Sequence, residues 1–252
     1  MSNELKIAIE AAKKASERAL YYFNNVPPVT IKPDNTPVTK ADKETEVIIR
    51  EHITNEFPNA SFVGEEFGGN LTKGDVWIID PIDGTKNFIR GIPLWAILIA
   101  LLRDGEIILG VSYVPTVNEL LYAEKGTGAF LNGKKINVSK IKNIEDSTIT
   151  HTGNPYRFSN PENVGNLLNK SAHARGFGDA YSYHLVATGR ADINFEPEVN
   201  LWDVAPFKII IEEAGGKITT LSGNPWNVNI KDFVATNGLL HDEVIEILNK
   251  KN

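Results

Sequence analysis

The stretch "DPIDGTKNF", which begins at Asp80, follows directly on the apolar run "VWII" and carries more charge than a turn needs. We expect Asp80 to leave the end of a strand, while Pro81 and Gly84 turn the chain. The turn then returns Asp83 and Thr85 to the side of the strand end. Carboxylates so close together repel each other and need a cation between them, and their oxygens suit Mg²⁺ or Mn²⁺.

The same stretch offers backbone groups to an anion. The N–H groups of Gly84 and Thr85 open the next segment, "TKNFIRG", and free N–H groups at a helix start attract phosphate. The structural alternative is that Asp80 and Asp83 are ordinary turn residues. A calcium loop of the EF-hand type does not fit, because Gly84 as its sixth residue puts Ile79 at the first ligand position.

Further acidic residues occur in three short motifs elsewhere in the chain. The motif "FVGEEFGG" places Glu65 and Glu66 at the end of another strand. The motif "VTKAD" places Thr39 and Asp42 at the start of a helix, and "LWDVAPF" places Asp203 after an apolar pair. Each motif has a structural alternative, which is a solvated pair of glutamates in the first case and an N-cap in the other two.

The composition is typical of a globular protein and excludes several kinds of site. The chain has 252 residues, of which 42% are hydrophobic and 23% charged, and it contains no cysteine. Disulfides, thiolate metal sites and cysteine nucleophiles are therefore excluded, and a reducing cytoplasm is the expected location. The net charge of −6 predicts no nucleic-acid partner. The first residues lack the pattern of a signal peptide or a membrane span, so we expect no membrane partner.

Two amphipathic helices are predicted before the first strong strand signal. The first helix covers "NELKIAIEAAKKASERALYYF" and has Ser2 or Asn3 as its N-cap. The second runs from about Asp42 to Phe57 and is stopped by Pro58. Its expected apolar face consists of Val47, Ile48 and Ile53.

From Val76 onward the pattern changes to strands. Asp104-Gly105 and Asn132-Gly133 lie between β-prone runs, which is the strongest short-range signal for a hairpin. This part predicts an antiparallel sheet with helices on one face. We therefore expect residues 1–139 to form an α+β half that carries the metal and phosphate motifs.

After about Ser139 helical segments alternate with short strands, which favours a smaller α/β half over residues 140–252. Gly189 and Gly215 fit the ends of helices. Pro206 fits the first turn of a helix whose N-cap is Asp203.

The motifs together resemble the inositol monophosphatase family of magnesium-dependent phosphatases. The resemblance covers nearly the whole chain and rests on "VTKAD...E", "FVGEE", "WIIDPIDGTKNF", "GDAYSYHLVATGRAD" and "LWDVAPFKIIIEEAGG", in the family's order. It implies a layered αβαβα fold, a homodimer and hydrolysis of a small phosphorylated metabolite. Paired metals of this kind neutralise charge, activate the attacking water and stabilise the departing alkoxide.

The resemblance also implies ligands for two or three Mg²⁺ ions, with Mn²⁺ as a substitute. Glu65, Asp80 and the carbonyl of Ile82 hold the first ion, and Asp80, Asp83 and Asp203 hold the second. Glu65 contributes to a third, more weakly held ion and is counted among the catalytic residues.

The remaining family positions concern the water and the phosphate. Thr85 with Asp42 is the pair that orients and deprotonates the attacking water. The amides of Gly84 and Thr85 bind the phosphate, with Asp83 beside them. Glu66 and Lys32 match positions near the site.

One branch of the family, the metal-dependent histidinol-phosphatases, is the more similar in "GTKNFIRGIPLWAILIALLRDG" and in the Asp of "GDAYSY". Histidinol phosphate carries an ammonium group and an imidazole, so carboxylates at Asp179 and Glu196 suit it better than they suit a neutral polyol. Arg90 and Trp95 also fit this branch. The structural alternatives are a helix N-cap at Asp179, a surface charge at Arg90 and a core residue at Trp95.

The leading hypothesis is therefore a histidinol-phosphate phosphatase. The alternatives are an inositol-1-phosphate phosphatase, a broad sugar-phosphate phosphatase, and a non-enzymatic phosphate-binding protein on the same scaffold. A second phosphate on the substrate is disfavoured, because no cluster of basic residues is evident. His151, His173 and His184 share no ligand spacing and are given no catalytic role.

Overall fold

The structure of the chain is a computed structural model that describes residues 1–25, 29–31, 37–152 and 157–250. Lys32, which the family resemblance places near the site, lies outside these residues. No helix in the described part is long and apolar enough to cross a bilayer.

The described residues form seven α-helices and fifteen β-strands. In order they are α1 (Asn3–Asn25), β1 (Val29–Ile31), β2 (Pro37–Thr39), α2 (Lys40–Glu56), β3 (Ser61–Gly64), β4 (Gly68–Gly69), β5 (Asp75–Asp83), α3 (Thr85–Phe88), β6 (Ala96–Arg103), β7 (Glu106–Val114), β8 (Glu119–Glu124), β9 (Gly128–Leu131), β10 (Lys134–Ile136), β11 (Thr148–His151), α4 (Pro161–Lys170), β12 (His173–Arg175), α5 (Asp179–Ala187), β13 (Ile193–Glu196), α6 (Leu201–Glu213), β14 (Lys217–Thr219), β15 (Phe233–Thr236) and α7 (His241–Leu248).

The strands form two large sheets. The first has eight strands in the order β10-β9-β8-β7-β6-β5-β3-β4, and its pairs are antiparallel except for β3 with β5. The second has five strands in the order β12-β11-β13-β15-β14, with parallel pairs on one side of β13 and antiparallel pairs on the other. A separate two-stranded ribbon pairs β1 with β2.

The helices and sheets stack in five layers. In order, these are the pair α1 with α2, then the first sheet, then the pair α5 with α6, then the second sheet, and last the pair α4 with α7. The predicted αβαβα architecture is confirmed. The expectation of helices on one face of the first sheet is wrong, because α1 and α2 cover one face while α6 packs on the other. The central strands β5, β6 and β8 are buried on both faces, and each face needs cover from water.

The chain passes from the first sheet to the second between Ile136 and Thr148. Helix α6 follows this crossing in sequence but packs against β5 to β9, so the layer between the sheets belongs to one shared core. The division of the chain at residue 139 into two halves stays a prediction.

Local signals account for the starts and turns of several elements. The Ser2 hydroxyl accepts a hydrogen bond from the Leu5 amide at 3.1 Å, as expected for an N-cap of α1. The hairpin turns at Asp104-Gly105 and Asn132-Gly133 are confirmed. All four residues have positive φ, at 51°, 86°, 49° and 82° respectively, as a type I′ turn requires.

Two expectations about helices are corrected. Val47 on α2 is 38% exposed, while Ile49 is fully buried and takes its place on the inner face. Asp203 is not the N-cap of α6, since the helix begins at Leu201 and the Asp203 carboxylate accepts from the Asn200 amide at 2.7 Å. Pro206 therefore lies inside the helix instead of in its first turn.

Candidate active site

Strand β5 carries both acidic residues of "DPIDGT" within the sheet. Its pairing with β6 jumps from Asp80 opposite Leu98 to Asp83 opposite Ala96, so the strand contains a bulge. The expectation that Asp80 leaves the strand end is wrong, because β6 continues to pair beyond it. Residues three apart in a regular strand point to opposite faces, and the bulge is what brings the two carboxylates to the same side.

The strand ends at Asp83, and Gly84, which has φ +82°, lies between it and α3. A Cβ at Gly84 would lie 3.1 Å from the Leu94 carbonyl oxygen and 3.4 Å from Oδ2 of Asp179. Both the backbone angle and the lack of space favour glycine here. The resulting turn directs the start of α3 toward the acidic residues of β5.

Three carboxylates converge at the end of β5. Oxygens of Asp80, Asp83 and Asp203 all lie within 4.8 Å of one another. Burial raises the pKa of Asp80 well above its ordinary value, and the charges of Glu65 and Asp83 add to the effect. The pKa of Asp83 is raised in the same way by burial and by Asp179. Such a cluster is costly without a cation to balance it.

These carboxylates line a cavity of about 180 Å³. The described residues that line it are Glu65, Asp80, Ile82, Asp83, Gly84, Thr85, Lys86, Asp179, Asn200, Trp202 and Asp203. Lys86 is the one basic side chain in this described lining. A set of hard oxygen donors with a net negative charge fits a divalent cation such as Mg²⁺, so the donor set agrees with the ions that the sequence motifs imply.

A hydroxyl and a further carboxylate adjoin the cluster. The Thr85 hydroxyl lies 3.3 Å from Oδ1 of Asp42 and 3.0 Å from the carbonyl oxygen of Ile82. Asp42 belongs to α2 and is 1% exposed. Glu65 follows the end of β3 and also lines the cavity. Helix α2 and strand β3 thus bring their acidic residues to the end of β5.

Asp179 stands at the start of α5 with φ +51°, an uncommon value for a residue other than glycine. Burial raises the pKa of Asp179, and the charge of Lys86 opposes the shift. Its Oδ2 accepts a hydrogen bond from Nδ2 of Asn87 at 3.3 Å. The amide of Ala180, in the first turn of α5, is bound by Oδ2 of Asp83 at 2.6 Å. The carboxylate at this helix start therefore comes from β5, while the Asp179 side chain faces the cavity.

The whole sequence, residues 1–252, matches the inositol monophosphatase family. A histidinol-phosphatase of Mycobacterium tuberculosis is 39% identical over 98% of this chain and 98% of its own. The chain belongs to the inositol monophosphatase family. A fructose-1,6-bisphosphatase/inositol-1-monophosphatase of Thermotoga maritima is 36% identical over 98% of this chain and 96% of its own. A solved IMPase structure from Thermotoga maritima superposes with a TM-score of 0.92 at 34% identity, covering 99% of this chain and 98% of that chain.

Most of the residues that the sequence selects in this inositol monophosphatase family member lie together in the structure. Glu196 lies at the end of β13, is 5% exposed and has a pKa raised to about 8 by burial and by the charge of Asp179. Its Oε1 is buried and has no hydrogen-bond partner among the described residues. Arg90 is exposed and outside the described cavity lining, and Trp95 is 1% exposed in the core.

Some residues at the site were missed by sequence reasoning. Lys86, Asn200 and Trp202 line the cavity, and Asn87 holds Asp179. Lys86 and Asn87 stand inside the quoted "DGTKNF", Trp202 stands inside "LWDVAPF" and Asn200 directly precedes it, so membership of a motif or adjacency to one was the available signal. None of His151, His173 and His184 is among the described residues that line the cavity.

Proposed function

We propose that this member of the family hydrolyses L-histidinol phosphate to L-histidinol and inorganic phosphate. The observation that carries the proposal is the Asp179 carboxylate, which lines the cavity, lies within 3.3 Å of Asn87 and has its pKa raised by burial. The ammonium group of histidinol would restore a favourable environment for this charge, whereas a neutral polyol would not. Similarity to the histidinol-phosphatase of Mycobacterium tuberculosis supports the same choice.

We assign the metal ligands as the sequence motifs imply. Glu65, Asp80 and the carbonyl of Ile82 would hold one Mg²⁺, and Asp80, Asp83 and Asp203 a second. Glu65 would also contribute to the binding of a third, more weakly held ion, and Mn²⁺ would be able to replace Mg²⁺. Bound in this way, the metals supply a charge that balances the phosphate and the departing oxygen.

The chain's own groups move the proton of the attacking water. The Thr85 hydroxyl has a single hydrogen, which it can donate to Asp42 at 3.3 Å, and its lone pair then accepts a hydrogen from water. Asp42 thereby acts as the base, through Thr85, for the water that attacks phosphorus. The water oxygen forms the new P–O bond and the ester P–O bond breaks opposite to it. The leaving oxygen takes up a proton from solvent water, and Asp42 later returns the proton it received to solvent.

The amides of Gly84 and Thr85 are proposed to hold the phosphate during this step. In α3, the amides of Asn87 and Ile89 bond the carbonyl oxygens of Gly84 and Thr85 at 2.8 and 3.0 Å. The first amides of a helix have no partner within it and point outward. Phosphate bound there lies beside the acidic cluster, as a metal-assisted hydrolysis requires.

A second candidate substrate is inositol 1-phosphate, or a broad range of sugar phosphates. Similarity to the fructose-1,6-bisphosphatase/inositol-1-monophosphatase of Thermotoga maritima favours it. Glu196, whose position in the family contacts leaving groups that include polyols, is compatible with either candidate. The homodimer and the cytoplasmic location stay predictions from the sequence.

The proposal is tested by phosphate release with Mg²⁺ from L-histidinol phosphate, myo-inositol 1-phosphate, fructose 1,6-bisphosphate and adenosine 3′,5′-bisphosphate. We expect kcat/KM to favour histidinol phosphate by about a hundredfold, or roughly 2.7 kcal/mol. A preference for inositol phosphate, or equal rates, would overturn the substrate assignment and leave the metal chemistry standing.

Asp179→Ala then tests whether the Asp179 carboxylate selects the substrate. It should lower kcat/KM for histidinol phosphate far more than for inositol phosphate, because the variant cannot bind the ammonium group. Asp146→Ala is the matched control, since this exposed carboxylate accepts from the Asn143 side chain and is outside the described cavity lining. Equal losses on both substrates in Asp179→Ala would show that the carboxylate does not select the substrate.

A further inference from the structure

An ion pair on α2, with a buried carboxylate and a partly exposed guanidinium, lies beside the loop that carries Glu65. The Glu46 side chain is 0% exposed, and Oε1 of Glu46 lies 2.7 Å from both Nε and Nη2 of Arg50. Nη2 of Arg50 also donates to the carbonyl oxygen of Gly68 at 3.0 Å. We call these two side chains the Glu46–Arg50 clamp. It joins α2 to both ends of the loop between β3 and β4.

The clamp contacts the residues on either side of Glu65. Oε2 of Glu46 accepts a hydrogen bond from the Glu66 amide at 2.9 Å. A Cβ on Gly64 would lie 2.0 Å from Oε1 of Glu46 and 2.9 Å from Nη2 of Arg50. The end of β3 therefore rests directly on the carboxylate, and only glycine leaves room for it.

Aromatic rings of the same loop region cover the guanidinium group. Cζ of Arg50 lies 5.0 Å from the ring centroid of Phe62 and 5.8 Å from that of Phe67. These distances are within the range of a cation–π contact. Phe62 and Phe67 flank the residues that Glu46 holds, so the ion pair and the rings restrain the whole turn.

The same helix also carries Asp42. Asp42 and Glu46 are four residues apart, which places them on one face of α2. Asp42 reaches the Thr85 hydroxyl, and Glu46 reaches the loop of Glu65. Helix α2 thus sets the position of the Asp42 carboxylate relative to the loop that carries Glu65.

We propose that Glu46 is a positioning residue that holds Glu65 in the orientation needed at the acidic cluster. Glu46 is absent from the described cavity lining, so it acts through the loop and not by contact with the metal or the substrate. An ion pair in which Glu46 is buried and Arg50 is partly exposed contributes modestly to stability, which fits a role in fixing geometry. The inference rests on the proposed function, in which Glu65 is a metal ligand.

The test is Glu46→Gln, whose amide oxygen can still accept from Glu66 but no longer balances the charge of Arg50. We expect the apparent dissociation constant for Mg²⁺, measured by calorimetry without substrate, to rise about tenfold or more. The kcat at saturating Mg²⁺ should fall less than the affinity for Mg²⁺, because Asp42 and Thr85 are unchanged. A glutamate-specific protease should cleave the variant faster after Glu65 or Glu66.

Gly64→Ala is a second variant, and it keeps every charge. It tests whether Glu46 positions Glu65 even if Glu46→Gln fails to fold. Its methyl group displaces the Glu46 carboxylate, and the Mg²⁺ affinity should fall in the same direction. Glu44→Gln is the matched control, with the same charge change on the same helix. It removes the ion pair with Arg18, which joins α1 to α2 away from the loop, so Mg²⁺ affinity should be unchanged even where stability falls.

The outcomes separate the positioning role from the proposed function. Wild-type affinity for Mg²⁺ and wild-type proteolysis in folded Glu46→Gln or Gly64→Ala would overturn the positioning role. An equal loss of affinity in Glu44→Gln would also overturn it, since general destabilisation would then explain the effect. A wild-type protein that neither binds Mg²⁺ nor releases phosphate with it would instead refute the proposed function.

Discussion

The carboxylate of Asp83 accepts a hydrogen bond from the backbone amide of Ala180 at 2.6 Å, across 97 positions of sequence. This bond joins the end of β5 in the first sheet to the first turn of α5 in the layer between the sheets. A carboxylate at a helix start is favoured by the unpaired amides and by the helix dipole. Asp83 therefore links the acidic cluster to the helix that presents Asp179.

We predict that Asp80→Asn abolishes phosphate release and stabilises the protein when no divalent ion is present. The variant removes one of the repelling buried charges and can still accept from the Ile82 amide, as Oδ1 of Asp80 does at 3.0 Å. In the wild type, Mg²⁺ at a hundred times its dissociation constant should add about 2.7 kcal/mol to the free energy of unfolding. The melting temperature with and without Mg²⁺ measures both effects.

Asp146→Asn is the control for this experiment and should behave as the wild type. Retained activity in Asp80→Asn, together with an unchanged rise in melting temperature on adding Mg²⁺, would show that Asp80 is not a metal ligand.

We predict that Thr85→Val lowers kcat by about 10² to 10⁴, while Thr85→Ser stays within about tenfold of the wild type. Valine has nearly the shape of threonine but cannot pass a proton to Asp42. Calorimetry should show the same Mg²⁺ affinity in both variants, since the side chain of Thr85 is not an assigned ligand. Similar kcat values for the two variants would exclude the hydroxyl from proton transfer.

Gly110→Ala tests the packing of α6, which carries Asp203, on the first sheet. A Cβ at Gly110 would lie 2.4 Å from the carbonyl oxygen of Pro206 and 2.8 Å from its Cα. We expect the free energy of unfolding to fall by about 1 to 3 kcal/mol and the Mg²⁺ affinity to weaken, because α6 must move away. Chemical denaturation and calorimetry measure the two quantities.

Gly165→Ala on α4 is the matched control for that substitution. A Cβ there meets nothing within 4 Å, and alanine should stabilise the helix by about 0.5 to 1 kcal/mol. If Gly110→Ala were as stable as the wild type, the close contact between β7 and α6 would not constrain the fold.

Stability should also depend on pH through His241, which is 1% exposed and has hydroxyls of Thr219 and Thr236 at 2.9 and 3.1 Å from its ring nitrogens. Burial lowers the pKa of His241 from 6.5 to about 4, with help from the charge of Lys217. Between pH 6.5 and about pH 4, His241 is protonated in the unfolded chain but stays neutral in the folded chain. The free energy of unfolding therefore decreases as the pH is lowered through this range.

The expected loss from this histidine is roughly 2 kcal/mol between pH 7 and pH 5. It is measured as the difference in pH dependence between the wild type and His241→Gln in urea unfolding. The comparison with His241→Gln is needed because burial also lowers the pKa of His184, which makes the protein less stable at low pH in the same way. Parallel pH profiles for the two proteins would contradict the prediction.

Several elements could be predicted from the sequence because their signals are local. Ser2 caps α1, and the two hairpins turn at Asp104 and Asn132, since each depends on residues within a few positions. The acidic residues of the cluster were also selected from short motifs, and the resemblance of those motifs to a known family, more than the carboxylates alone, distinguished them from ordinary turn residues. Family resemblance, and not periodicity, predicted the five layers.

Other features depend on partners distant in sequence, and local patterns misled us there. Asp80 stays in the strand because β6, a separate segment of the chain, pairs past it. The position of Asp203 within α6 is a local feature that was misassigned by a few residues, since Asn200 is the residue before the helix. The sequence by itself determined which groups are available for chemistry and where the chain turns. Only the tertiary structure decided that Asp83 binds Ala180 and that Glu46 lies beside the loop that carries Glu65, because such contacts form when separate layers pack and not between neighbours in the chain.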